Sequence, residues 1–448
     1  MVCVCKIRWK EGEFLTGKGS VWIWERWRRG LSVGMILLLF GAGLFYCNKL
    51  FANKQSIQKY EQFFQTDKEF DVLFVGSSHV INGVSPLDLF RDYGISSFNL
   101  SMHGNYVKSG YFLLKAALER LEKEGRHLPE MVVLDVYADG EGIGNLHNAW
   151  DSFALSGTKK EMIRELAEEK NNMELMMPFS LYHSRWSELK KNDFEPNINL
   201  LYGVELRYGV TYPGKEIVRD AKDKKPIEEE KLSYVNKIKT LCESYGIALV
   251  LIHIPYSYSP DWQREANSFY EYANENHLCF VNYMNEEMGL DFDIDFFDQG
   301  HLNPVGMRQM TREMGELLGS LGVKDRRQEP VAEAWKKEYE EFIDYRVKRL
   351  KDITQAKIYL MSLHDPDLTS VIQVKRKLLE DVQIAKLIER LKNGKNEVMI
   401  VEEGEKLLPS DGKEGEYDLY CVVHKKETID SVADSGGFVW EEGVNRRK

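Results

Sequence analysis

The chain has 448 residues, 43% hydrophobic and 29% charged, which excludes a disordered polymer and allows two or three separately cored domains. The formal net charge of −11 is unevenly placed: +4 within residues 1–30, none in 31–47 and −15 thereafter. An acidic body of this kind argues against a nucleic-acid groove.

The first element is the uncharged run Leu31–Cys47 (LSVGMILLLFGAGLFYC), near the lower length limit for a bilayer span and extendable to residues 31–51 through Leu50 and Phe51. Arg26, Arg28 and Arg29 precede it, and Trp22, Trp24 and Trp27 suit an interfacial aromatic belt. The positive-inside rule then places residues 1–30 in the cytoplasm and everything from residue 52 outside the cell membrane. An uncleaved single-pass anchor fits better than a signal peptide, because Leu50-Phe-Ala52 is a poor cleavage site. Cys3 and Cys5 fall on the inner side and Cys47 in the span, so Cys242, Cys279 and Cys421 read as single buried thiols outside, not as a disulfide framework.

Residues 53–70 read as a polar helix leading to a buried strand over 71–76. Ser85-Pro86 opens a short helix that Gly94 ends, Ser97–Leu100 is a second strand, and a helix runs from about Tyr106 to Lys123. Met131–Asp135 is a third strand. Thr158-Lys-Lys-Glu161 reads as a capping box for a helix over Met162–Glu169. Residues 171–225, with His183, Arg185 and Trp186, read as an insertion tied over one sheet edge. The pattern resumes with a helix over Glu228–Tyr245 capped by Gly246, a strand over Ile247–Ile254, a helix over Asp261–Asn276, a fifth strand over Leu278–Asn282, and a helix from Pro304 to Leu318 capped by Asn303. Strands alternating with helices of this length predict an α/β fold with a parallel five-stranded sheet, spanning about 52–325. Residues 326–355 read as a charged, solvated helical connector. Residues 356–448 read as a small α+β domain with a helix over Leu378–Leu391 and strands over Glu397–Val401 and Tyr417–Val423.

The chemistry gathers at strand ends. Val72–Val75 runs into Gly76-Ser77-Ser78, which delivers a serine to the carboxyl edge of the sheet, where open α/β sheets place ligands. A serine hydroxyl is a weak nucleophile without a base, and Asp298-Gln-Gly-His301 supplies one, with Asp298 orienting His301 from behind. Gly104, in the turn after the second strand, offers a backbone N–H that pairs with the Ser78 N–H as an oxyanion hole. Taken alone, a Gly-Ser-Ser is more often a turn and a lone histidine more often structural; the Asp-x-x-His spacing lifts both. His79 reads as a packed neighbour of the nucleophile, and His103 reads more readily as structural than as a residue within reach of a bound substrate. No metal-ligand spacing and no phosphate-cradling loop is present, and no cofactor is implied.

Gly76-Ser-Ser78, Gly104 and Asp298-Gln-Gly-His301 resemble blocks one, two and five of the SGNH/GDSL hydrolases, in that order, within about residues 68–320. The resemblance implies a flavodoxin-like three-layer fold, with Ser78 as nucleophile and Asp298 and His301 completing a triad. Two departures stand. Ser77 occupies the position of the family's Asp, and the third block, Gly-x-Asn-Asp, is replaced after the third strand by Asp135-Val-Tyr-Ala-Asp-Gly140. Asn105, Tyr137 and Asn82 are the candidates for the oxyanion donor that block would add. With the anchor, the layout is similar to membrane-anchored SGNH proteins of Gram-positive envelopes, such as the D-alanyl transfer protein of lipoteichoic acid synthesis and polysaccharide O-acetylation proteins. That implies an acyl, usually acetyl, transferase or esterase acting on an envelope polysaccharide or teichoic acid beside a membrane-bound O-acyltransferase. The alternatives are a non-catalytic SGNH-like assembly or glycan-binding factor, and a hydrolase that trims acetyl groups.

Overall fold

The computed structural model describes residues 18–51, 62–64, 66–137, 142–151, 153, 155–189, 201–210, 217–350, 353, 355–402, 418–425, 432–441 and 444–447. Five strands, β1 (Val72–Val75), β2 (Ser97–Asn99), β3 (Met131–Asp135), β4 (Ala248–His253) and β5 (Cys279–Asn282), form one parallel sheet in the order β2-β1-β3-β4-β5. This is the flavodoxin-like order, and its crevice lies where the order reverses beside β1.

β1 and β3 are buried along their whole length, which is why they read as unbroken apolar runs. Successive side chains point to opposite faces. Leu73, Val75, Val132 and Leu134 therefore enter the core under helices Val107–Lys123 and Glu229–Tyr245, while Val72, Phe74, Val133 and Ile252 enter the core under helix Pro304–Ser320. Each such side chain contributes roughly 1.5–3 kcal/mol through burial. The result is a three-layer α/β sandwich. Helix starts follow local chemistry: Ser85 accepts from the Asp88 N–H before Pro86, and Asn303 accepts from the N–H groups of Val305 and Gly306 before Pro304.

Several expectations need correction. In the stretch 53–70, residues 62–64 are helical and 66–70 are not; residues 52–61 lie outside the described part. The helix expected from Met162 spans Gly157–Leu166. Its cap is Ser156, which accepts from the Lys159 N–H, because the Thr158 hydroxyl donates instead to Glu119. A further helix, Ile143–Trp150, precedes it, and the insertion holds short helices at Asn172–Met176 and Phe179–Tyr182. Residues 190–200 and 211–216 of the insertion lie outside the described residues. Its segment 201–210 covers the outer edge of β2, where Asn99 N–H donates to Tyr202 O at 2.9 Å.

The charged helix Val331–Leu350 is not a solvated connector. It buries Trp335, Tyr339, Phe342, Ile343 and Leu350 along one face, and Trp335 stacks on Phe90 with centroids 4.7 Å apart. A second sheet follows, with strands β6 (Leu368–Lys375), β7 (Glu397–Val401), β8 (Leu419–Lys425), β9 (Val432–Glu441) and β10 (Val444–Arg447) in the order β10-β9-β8-β6-β7. Its helix is Val382–Lys392, capped by Asp381. Buried Asp365 joins the two parts by accepting from Arg308 of helix Pro304–Ser320, at 2.9 Å, and from Arg346. Lys386 pairs with Asp291 and Asp293, and Arg390 with Asp295, just ahead of the loop that carries His301.

At the other end, helix α1 (Lys18–Phe51) includes Arg26–Asn48, 23 residues long and apolar enough to cross a membrane, none of it buried. Cys242 and Cys421 are buried thiols, and burial pushes Cys242 up to about 12.

Candidate active site

The turn after β1 is built for close approach. A Cβ at Gly76 would lie 2.5 Å from Val80 Cγ2 and 3.1 Å from Asp135 Cβ, so only glycine fits there. Ser77 is extended and its hydroxyl accepts from the His79 N–H, starting the one-turn helix Ser78–Ile81. Ser78 is its first residue and stays partly exposed.

The loop after β5 folds back on itself. Phe297 N–H donates to His301 O at 2.8 Å, Asn303 N–H to Asp295 O at 2.9 Å, and Ser257 N–H, from the loop after β4, to Gln299 O at 2.8 Å. Asp298 Oδ1 accepts from the backbone N–H groups of Gly300 and His301 at 2.8 and 2.9 Å. The same carboxylate takes His301 Nδ1 at 2.8 and 2.9 Å. Burial pushes the Asp298 carboxyl up, but the hydrogen bond and charge of His301 and the two N–H groups more than offset it, leaving it below the usual range. An ionised carboxylate only accepts, so Nδ1 carries the imidazole proton and Nε2 is the free lone pair. Nε2 lies 2.7 Å from Ser78 Oγ, so the serine hydroxyl donates to it. Ser78, His301 and Asp298 thus form one hydrogen-bonded chain at the carboxyl edge of the sheet.

Gly104 has φ +68, and a Cβ there would lie 2.8 Å from Asn145 Cα. Its turn is tied to the serine turn: Gly76 O accepts from Met102 N–H and from Asn105 Nδ2, each at 3.2 Å. Among the described residues, nothing accepts from the backbone N–H groups of Ser78 and Gly104. Asn105 differs from the donor role read from the sequence. It is fully buried, its N–H donates to Met102 O, and its side chain joins Gly76 O and the Ser109 hydroxyl, so it braces the two turns from beneath.

Asn82 is also buried and donates to Glu205 O, and His103 Nε2 pairs with Glu205 Oε2 at 2.9 Å. Both therefore hold the segment 201–210 against the site. Tyr137 lies under the site, its ring 3.8 Å from that of His79. His79 is fully enclosed, and burial with the neighbouring charge of His301 and His253 lowers its pKa well below the usual value. His183, Arg185 and Trp186 lie with the insertion, near the end of α1.

Sequence reading missed the polar layer behind the triad. Asp135 ends β3 and His253 ends β4, with His253 Nδ1 3.8 Å from Asp135 Oδ1. Burial raises Asp135 to about 8 and lowers His253 to about 3, so both favour their uncharged forms. Tyr256 and Tyr258 follow β4, and a Cβ on Gly300 would touch the Tyr258 ring at 3.0 Å. The only available signal was a charged or titratable residue closing each apolar run. Among the described residues, no group of three His, Cys, Asp or Glu could hold a metal ion.

No family model matches this chain, and no curated protein matches it in sequence. Among solved structures it is similar to a "putative acylhydrolase" from Bacteroides fragilis, with a TM-score of 0.30 and 11% identity over 60% of this chain and 98% of that one. It is also similar to CetZ from Methanosaeta thermophila, with a TM-score of 0.19 and 12% identity over 80% of this chain and 88% of that one.

Proposed function

We propose that this chain is a membrane-anchored, extracytoplasmic serine acyltransferase or esterase that carries an acyl group, acetyl foremost, on Ser78. The observation that carries the reading is the 2.7 Å contact from Ser78 Oγ to His301 Nε2, with Asp298 on the far nitrogen. In this scheme Ser78 Oγ attacks the acyl carbon as its proton passes to His301 Nε2. The developing oxyanion is met by the N–H groups of Ser78 and Gly104. Collapse breaks the bond to the leaving oxygen, which takes the proton from His301. An alcohol or water then gives its proton to His301 as it attacks the acyl carbon, and collapse breaks the bond to Ser78 Oγ, which takes that proton back from His301.

The acceptor class in this reading is a hydroxyl of an envelope polysaccharide or teichoic-acid-like polymer. The partly exposed rings of Tyr106, Tyr258 and Trp262 around the site support it, since aromatic faces suit sugar C–H surfaces. A membrane-bound O-acyltransferase fits as the supplier of acyl groups to an enzyme anchored by α1, and the Arg26–Arg29 cluster favours a cytoplasmic N-terminus.

The test is product analysis with an acetyl ester donor, with and without a soluble envelope glycan. Transfer predicts acetylated glycan at the expense of free acetate, and both products vanish in Ser78→Ala. Undiminished turnover by Ser78→Ala rejects the serine mechanism.

A further inference from the structure

Between residues 172 and 187 the chain turns five long apolar side chains outward: Met173, Met176, Met177, Leu181 and Trp186, with Met173 66% and Trp186 71% exposed. Residues 175–184 (LMMPFSLYHS) contain no Asp, Glu, Lys or Arg. Isolated exposed apolar residues need no explanation, but this density within one short segment marks an interaction surface.

The segment is fastened to the end of α1. Phe179 N–H donates to Asn48 Oδ1 at 2.8 Å, Arg185 Nη1 donates to Phe51 O at 2.8 Å, and the rings of Phe51 and Phe179 meet with centroids 5.5 Å apart. Asn48 is the last residue of the stretch able to cross a membrane. A helix spanning the bilayer fixes its end at headgroup depth, and whatever is bonded to that end is held at the same depth. Methionine, leucine and tryptophan side chains are what the headgroup–acyl boundary receives. Of the two charged residues inside 173–186, Arg185 is on the Phe51 carbonyl, and Glu174, half exposed, lies 3.8 Å from His147 Nε2.

We infer that residues 173–186 form a membrane-interface collar that lays the globular part on the bilayer surface around the exit of α1, with lipid as the partner. The inference rests on α1 crossing the bilayer. It has a consequence for the candidate site. Helix Ile143–Trp150 carries Asn145, which packs on Gly104, and His147, whose ring is 6.4 Å from Tyr182 of the collar. The Ser78 site is therefore held one helix away from the lipid surface, in a fixed orientation, where a substrate attached to or delivered from the membrane meets it.

The experiment uses the full chain in phosphatidylcholine–phosphatidylglycerol liposomes and compares it with Trp186→Phe, so that the difference in emission isolates Trp186. Lipids brominated near the headgroup are predicted to quench that difference at least two-fold, while aqueous iodide leaves it unchanged. Acetyl-ester turnover is the same in both proteins. Trp22 and Trp24 precede the span, Trp27 lies at its start, and all three remain in the variant, so their quenching reports insertion of α1 separately. Quenching of the Trp186 difference by iodide and not by brominated lipid, with the flanking tryptophans still quenched by lipid, overturns the collar while leaving the anchor and the serine mechanism standing. Failure of all tryptophans to respond to lipid overturns it as well, through the anchor.

Discussion

The Ser78 hydroxyl lies 2.7 Å from His301 Nε2 although 223 residues separate them. Ser78 follows β1 and His301 follows β5, and the two are brought together because every strand of a parallel sheet delivers its carboxyl end to the same rim.

Asp298→Asn keeps an oxygen for the N–H groups of Gly300 and His301 but presents an N–H to the imidazole Nδ1. The imidazole then loses the partner that fixes its tautomer. We expect kcat for an acetyl ester to fall by about 10²–10⁴-fold with the melting temperature little changed. A variant retaining wild-type kcat removes Asp298 from the mechanism.

Gly104→Ala puts a Cβ at φ +68 and 2.8 Å from Asn145 Cα, against backbone that must shift. The expected cost is about 1–3 kcal/mol, with a matching drop in melting temperature and a loss of turnover as the turn moves. Gly142→Ala is the control. Its Cβ would meet nothing closer than Asn145 Nδ2 at 4.0 Å, and both readouts should stay near wild type.

Asp365→Ala leaves Arg308 and Arg346 facing each other without the carboxylate between them. Removing one partner of a buried ion pair costs about 3–5 kcal/mol. Chemical denaturation in detergent should show that loss. Because Arg308 belongs to the helix capped by Asn303, turnover should fall as well.

Asp135 makes stability fall toward alkaline pH. Its folded pKa is raised from 3.8 to about 8, so between those values the folded chain keeps a proton that the unfolded chain has released. The stabilisation is full at the acid end of that window and is lost as pH rises through it. His253 is lowered from 6.5 to about 3 and acts oppositely, losing stability as pH falls through that range. Between pH 6.5 and 8 only Asp135 of this pair contributes, with a slope of up to about 1.4 kcal/mol per pH unit. Asp135→Asn should flatten the melting-temperature profile in that window. An unchanged slope shows that Asp135 is already ionised in the fold.

The sheet was legible because burial on both faces forces unbroken apolar runs, as in Val72–Val75 and residues 131–134. The starts at Pro86 and Pro304 were legible because their caps are local. What escaped depends on distant partners. Thr158 read as the cap, but its hydroxyl is drawn to Glu119 and Ser156 caps the helix instead. The apolar face of Val331–Leu350 was masked by its lysines and glutamates until Phe90 and Tyr202 supplied the surface it covers. Strand β6 alternates in burial but not in polarity, because Ser370 is buried and Val371 is not, and helix Ile143–Trp150 has only eight residues. At the site, Ser78, Asp298 and His301 were recognisable by spacing. The Asp135–His253 layer was not, because nothing local in β3 or β4 announces its counterpart.

A fluorophosphonate phosphonylates an activated serine, and mass spectrometry of the treated full chain locates the modified residue. A single phosphonylated peptide carrying Ser78 is expected, with the label lost in Ser78→Ala and slowed by at least about 10²-fold in His301→Ala. Labelling of a different residue, or undiminished labelling of Ser78→Ala, contradicts it.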